Sequence, residues 1–198
     1  MTIENEILSV YKNNSVCKGP FKQKVFIEIL KNVMSLYPGN ILEIGAYDGR
    51  STVEFLKIAS IYNVMVYVID PWNGAQEGDE KIHKKFLETT KGYKNLKVFR
   101  ISSQSPEAKK IIEDLSLSFC LIDGLHTKKA VTSDIISVQN AKFPNGVIIV
   151  DDVRDLYGSL GKESCQDIMN SVIENERNGW KHLLSPKEWL CTCYIKEK

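Results

Sequence analysis

Apolar positions along this chain change their period again and again, and that alternation sets the expected architecture. Phe21, Val25, Ile29 and Val33 recur every four residues, with Leu30 and Leu36 widening the stripe, which predicts a helix over 21–36 that Pro38-Gly39 ends. Asn40 to Ile44 then reads as a short buried strand running into a turn bracketed by Gly45 and Gly49. The helix after it has Ser51-Thr52 as its expected cap, Glu54 near its first turn, and Val53, Leu56 and Ile58 or Ala59 on its apolar side. Further strands are expected at 64–69, 96–101, 118–122, 147–150, 180–184 and 189–195. Helices are expected between them at 79–89, 106–115, 128–140 and 165–176, the second opened by Pro106.

Strands that alternate with helices imply a doubly wound, Rossmann-like α/β fold, a mostly parallel seven-stranded sheet with helices on both faces. Only residues 185–188 separate the final two strands, too few for a parallel crossover, so the last strand should run antiparallel to its neighbour. A chain of 198 residues suits one such domain, taken as 21–198, with 1–20 a loosely packed extension or a substrate-side cap.

Composition narrows the partners. Lys plus Arg number 26 against 25 Asp plus Glu, a net charge of +1, which argues against nucleic acid; Lys18, Lys22 and Lys24 form only a modest basic cluster. The longest apolar runs, such as 146–150, are strand-sized, so no membrane span is expected. The first residues carry two glutamates and no apolar stretch behind a basic start, so no secretory leader is expected and the location is read as cytoplasmic. Five cysteines, at 17, 120, 165, 191 and 193, are odd in number and scattered. Cys191 and Cys193 would face one side of a strand with no second pair nearby, and all five are read as reduced structural thiols.

The acids are placed more tellingly. Glu43, Asp70, Asp123, Asp151 and Asp152 each sit in or directly after an apolar strand run. Ligands bind at the carboxyl ends of strands in an open parallel sheet, so these side chains should converge on one crevice. Glycines at 45 and 49 let backbone approach a ligand closely, and Asp70 after the second strand is placed to accept hydrogen bonds from ribose hydroxyls; its alternative is a cap on the Pro71 turn. Asp123, Asp151 and Asp152 brought together would repel unless a hard divalent cation such as Mg2+ compensated them. His126 shares the loop of Asp123. The alternative has one aspartate capping a helix, another pairing with Arg154, and His126 on a surface loop.

The run ILEIGAYDGRST resembles the first motif of class I S-adenosylmethionine-dependent methyltransferases, and VYVIDPW resembles their acidic second-strand motif. FCLIDGLHTKKAVTSDI with PNGVIIVDDV looks like the macrocin O-methyltransferase branch, related to the metal-dependent catechol and caffeoyl-coenzyme A O-methyltransferases. That resemblance implies S-adenosylmethionine as cofactor, with Glu43, Gly45 and Gly49 around its methionine part, Asp70 on the ribose, Trp72 as a wall and Ser105 near the adenine. Ala46, Tyr47, Ser51, Pro71, Ser103, Gln104 and Asp123 are counted with them as cofactor-binding. It further implies Mg2+ on Asp123, Asp151 and Asp152, and His126 as general base with Asp123 as its catalytic companion. Leu125, Thr127 and Asn145 depart from the branch, whose pattern has an aspartate, an aromatic residue and a glycine there.

The expected reaction is methyl transfer to a hydroxyl of a small molecule or sugar, assisted by Mg2+. Its rivals are a metal-independent or N-directed methyltransferase, a nicotinamide-dependent oxidoreductase, for which the three-glycine fingerprint is missing, and a non-catalytic nucleoside-binding or protein-interaction domain. Tyr11, Tyr47, Trp72, Arg154 and Tyr157 are candidates either to line the acceptor pocket or to pack elsewhere, and a homodimer is compatible with the sequence.

Overall fold

Strand β1 (Asn40–Ile44) stands near the middle of the sheet because both of its edges are taken by parallel neighbours, β2 (Val66–Ile69) and β4 (Leu117–Ile122). In this computed structural model β3 (Leu96–Phe99) adds beyond β2, and β5 (Gly146–Val150) beyond β4, all parallel. β7 (Thr192–Lys196) lies antiparallel between β5 and β6 (Lys181–Leu183), giving a seven-stranded sheet of order β3-β2-β1-β4-β5-β7-β6. The expected sheet and its antiparallel last strand are thus borne out. The structure describes all residues except 1, 16, 18–19, 74–78, 154–164, 175, 187–188 and 198, and the side chains of 20–21 and 165–167 are outside it too. Arg154, Tyr157 and Lys18 therefore lie outside the described residues.

Side chains of successive strand residues enter opposite cores, as the pleat requires. Ile41, Phe119, Leu121, Val147 and Ile149 pack on one face with α1 (Ile3–Asn13), α2 (Pro20–Leu36) and α3 (Arg50–Tyr62). Leu42, Ile44, Cys120, Ile122, Ile148 and Val150 pack on the other with α5 (Pro106–Asp114), α6 (Lys128–Asn140) and α7 (Cys165–Ile173). Both faces are covered, which is why these strands read as continuous apolar runs rather than alternating ones. α4 (Asp79–Thr89) touches the first core through Phe86.

Residues Ile3–Asn13, given no element by the sequence reading, form a helix capped by the Thr2 hydroxyl, which accepts from Asn5 N at 3.2 Å. Its Ile3, Ile7, Val10 and Tyr11 are buried in the same core as α2. Tyr11 packs edge-on against Trp189 at 4.7 Å and donates to the Leu183 carbonyl, so it belongs to the core and not to an acceptor pocket. Several boundaries shift by a few residues. Val64 N bonds back to Ala59 O, closing the end of α3 and delaying β2 to Val66. Trp189, expected in the last strand, is instead fully buried with its indole N–H on the Asn14 carbonyl. Cys17, Cys120, Cys191 and Cys193 are buried free thiols, and Cys191 and Cys193 do enter one core.

Candidate functional site

Three strand ends are sewn together beyond the strands themselves. Gly45 N bonds to Ile69 O at 3.0 Å and Asp123 N to Ile44 O at 2.8 Å. This brings the loops after β1 and β4 into such contact that a Cβ at position 45 would lie 2.0 Å from the Asp123 carbonyl oxygen, and Gly45 has φ +85° besides. Only glycine fits there. The close approach expected of this residue is therefore made first to the chain's own backbone.

The start of α3 corrects a local reading. Gly49, in the left-handed region, occupies the cap position without any side-chain bond. The hydroxyls of Ser51 and Thr52 instead donate to the two oxygens of Glu43, each at 2.5 Å. A fully buried carboxylate needs those donors more than the helix end needs a cap, whose amides bonds such as Val53 N to Gly49 O partly serve. Glu54 lies beyond the first turn and pairs with Lys57 at 2.6 Å. Burial pushes the Glu43 carboxyl up to about 7 against the pull of the two hydroxyls, helped by the negative charges of Asp123 and Asp70.

Asp70 organises the loops around it. Its Oδ2 accepts from the amides of Ala46 at 2.8 Å and Tyr47 at 3.1 Å, and its Oδ1 from the amide of Trp72 at 2.8 Å. The Trp72 indole N–H then donates to Tyr47 O at 2.8 Å, while its ring packs against His83 and Phe86. Tyr47 and Trp72 both hold positive φ, 47° and 42°, an uncommon conformation for large side chains that these bonds fix in place.

Above these residues opens a cleft of about 740 Å³, within the usual range for small-molecule sites. Of the expected cofactor residues, Gly45, Ala46, Tyr47, Ser51, Asp70, Pro71, Trp72, Ser103, Gln104 and Asp123 are on its wall. Glu43, Gly49 and Ser105 are not on it: Glu43 is fully buried, Gly49 ends the loop beside Phe86, and Ser105 caps α5, accepting from Ala108 N at 3.1 Å. Ser102, Asp48 and Arg50 join the wall without having been singled out, and Leu125, which departs from the branch pattern, is on it too. Asp48 is held by Arg50 and Lys85, whose positive charges keep its carboxyl below the usual range despite its burial. Gln104 is anchored from below by buried Asp134, to whose Oδ1 it donates at 2.7 Å.

At one side of this cleft stands the acid cluster. His126 Nε2 lies 3.2 Å from Asp123 Oδ1, and its Nδ1 lies 3.6 Å from Asp152 Oδ2. Chiefly the Asp123 hydrogen bond, opposed by burial, raises the imidazole pKa above its ordinary value. Asp151, buried behind them, is pushed up to about 7 by burial and by Asp123, with Lys22 pulling the other way. Thr127, at the branch's aromatic position, caps α6 by accepting from Ala130 N at 3.3 Å. Among the described residues, one oxygen each of Asp123 and Asp152 and one ring nitrogen of His126 lie within 4.8 Å of one another, a spacing that fits one divalent ion. Asp151 stands outside that trio, buried behind it, and shares Lys22 with Asp152, at 2.7 and 2.5 Å. In the sequence Lys22 stands out only as part of a modest basic cluster, since no local signal announces Asp152, 130 residues away.

The strand order, the antiparallel β7 and a cleft at the carboxyl ends of β1, β2 and β4 are those of the Rossmann-like methyltransferase fold. The chain belongs to the methyltransferase-domain family, whose profile matches residues 42–153. Its fold is similar to an S-adenosylhomocysteine-bound methyltransferase of Podospora anserina, with TM-score 0.67 and 13% identity over 100% of this chain and 88% of the other. An O-methyltransferase of Bacillus cereus in complex with S-adenosylhomocysteine aligns with TM-score 0.59 and 18% identity, covering 98% and 90%. A TDP-rhamnose 3′-O-methyltransferase of calicheamicin biosynthesis aligns with TM-score 0.64 and 9% identity, covering 98% and 92%. No curated protein matches the chain significantly. Among the described residues no helix is long and apolar enough to cross a membrane.

Proposed function

We propose that the protein transfers the methyl group of S-adenosylmethionine to a hydroxyl of a small molecule or sugar in the cytoplasm, with His126 as general base. The observation that carries this reading is the meeting of Asp123, His126, Asp151 and Asp152 beside the cleft, Asp123 being both a wall residue and the hydrogen-bond partner of His126. Asp70 is assigned to the cofactor ribose, Ser103 and Gln104 to the adenine side, and the Gly45–Tyr47 backbone to the methionine part. Mg2+ would be held by Asp123, Asp151 and Asp152, the last two on exchange with the Lys22 ammonium, and would supply a Lewis acid toward the acceptor oxygen. His126, with its Nε2–H donated to Asp123, receives the hydroxyl proton at Nδ1 as that oxygen attacks the methyl carbon, and the negative charges of Asp123 and Asp152 favour the imidazolium that forms. Glu43, through Ser51 and Thr52, keeps the loop and the start of α3 in place beneath the cofactor.

A second reading, metal-independent transfer, is favoured by Lys22, because Asp151 and Asp152 already hold a cation. Turnover in excess chelator separates the two. The primary test is calorimetric titration with S-adenosylhomocysteine, followed by methyl-transfer assays on a panel of sugar and phenolic hydroxyl acceptors. His126→Ala should lower turnover by roughly 10²-fold or more, with S-adenosylhomocysteine affinity nearly unchanged. Full turnover in that variant would remove His126 as the base.

A further inference from the structure

The acid cluster contains a cation of its own. Lys22 Nζ lies 2.7 Å from Asp151 Oδ2 and 2.5 Å from Asp152 Oδ1. Asp151 Oδ1 accepts the Asp152 amide at 2.8 Å, so both oxygens of this nearly inaccessible carboxylate are engaged. Asp152, at φ 51°, presents its other oxygen to His126, and His126 reaches Asp123. The result is a continuous row: ammonium, carboxylate pair, imidazole, carboxylate.

The placement of Lys22 along its own helix argues that this pairing is its purpose. It sits in the first turn of α2, where the helix dipole disfavours a cation, and no acidic residue in that turn offsets the cost. The compensation comes from across the fold, from the end of β5. α2 also lies outside the matched family region of residues 42–153, so the ammonium is brought to the site by a segment beyond that shared domain. A buried carboxylate must be balanced by a proton, a metal ion or a cation, and Lys22 is the balance seen here. Its side chain keeps 18% exposure on a flexible stem, so it can withdraw toward solvent without unfolding the helix that carries it.

We propose that Lys22 is a tethered cation of the acceptor site: its ammonium holds Asp151 and Asp152 assembled when no metal ion is bound, and competes with a divalent cation for the same two carboxylates. This rests on reading the cluster as the acceptor-side cation site. Lys22 is thus a positioning residue, fixing Asp152 against His126, and loading of a divalent ion requires its withdrawal. The experiment compares full-length wild type, Lys22→Met and Lys22→Arg, using Mn2+ as probe. Binding is followed by electron paramagnetic resonance and calorimetry, and melting temperature is measured with and without the ion.

Lys22→Met should melt below wild type in the absence of Mn2+, regain stability when Mn2+ is added, and bind the ion roughly tenfold or more tightly than wild type. Lys22→Arg, which keeps the charge, should stay near wild type in both respects. Equal Mn2+ affinity in wild type and Lys22→Met overturns the proposal, as does failure of both to bind, or an unchanged melting temperature of metal-free Lys22→Met. S-adenosylhomocysteine affinity, read on the same samples, reports the cofactor cleft separately. Its absence in wild type would sink the methyltransferase reading while the Mn2+ comparison still judges Lys22.

Discussion

A carboxyl with 1% exposure must find donors or keep its proton, and Asp134 does some of each. Its Oδ1 accepts from Gln104, while its Oδ2 has no hydrogen-bond partner. Burial raises its pKa from 3.8 to about 6, against the pull of the Ser103 and Gln104 side chains. The sign of the consequence follows from proton counting. Between those two values the folded protein binds more protons than the unfolded chain, so the stability associated with this group is present at low pH and is lost as pH rises through about 6. The loss amounts to about 3 kcal/mol at most. Asp134→Asn, which cannot ionise, should flatten that part of the profile and melt higher than wild type at neutral pH. Melting temperatures taken across the window check it, and an unchanged slope would show that Asp134 does not titrate there. Glu43 acts in the same direction with its fall nearer pH 7, so some slope should persist in the variant.

At the level of elements, α1 shows how a helix can be present in the residues and still escape a sequence reading. Ile3, Ile7, Val10 and Tyr11 are spaced for one helical face, and Thr2, Glu4 and Glu6 suit its N-terminal end. Their meaning depends on α2, the helix against which they pack. Truncating Ile7, fully buried, to Ala should cost about 2–5 kcal/mol in urea unfolding, the penalty of a core cavity. A change below about 0.5 kcal/mol would mark α1 as a surface appendage instead. From Phe21 onward the strands and helices were legible, because a switch between periods of about 2 and about 3.6 is a local property. The site was legible in part. Acids at strand ends could be read from position alone, whereas the Ser51 and Thr52 hydroxyls turned to Glu43, and Lys22 to Asp151, because long-range burial outweighed local preference. Ser105 is off the cleft wall for the opposite reason: a local preference, the cap of α5, holds its hydroxyl.

For the molecule as a whole, the cofactor cleft is a joint product of three strand ends, and Asp70 is where two of them are tied. Its three accepted amide bonds link the β1 loop to the turn after β2, so the proposed ribose contact and the stability of these loops would depend on one carboxylate. Asp70→Asn retains one acceptor oxygen, but its amide must turn N–H groups toward either the Ala46 and Tyr47 amides or the Trp72 amide. Either choice sets donors against donors, and S-adenosylhomocysteine affinity should fall roughly tenfold or more. The linkage is measurable in the folded protein without knowing the methyl acceptor. At a ligand concentration of about 100 times the wild-type Kd, wild type should gain about 2.7 kcal/mol, and a tenfold weaker variant about 1.4 kcal/mol, so the ligand-induced rise in Tm should be close to halved. A wild-type rise in Asp70→Asn would place the ribose on other groups of the cleft and leave Asp70 as the tie between its loops alone.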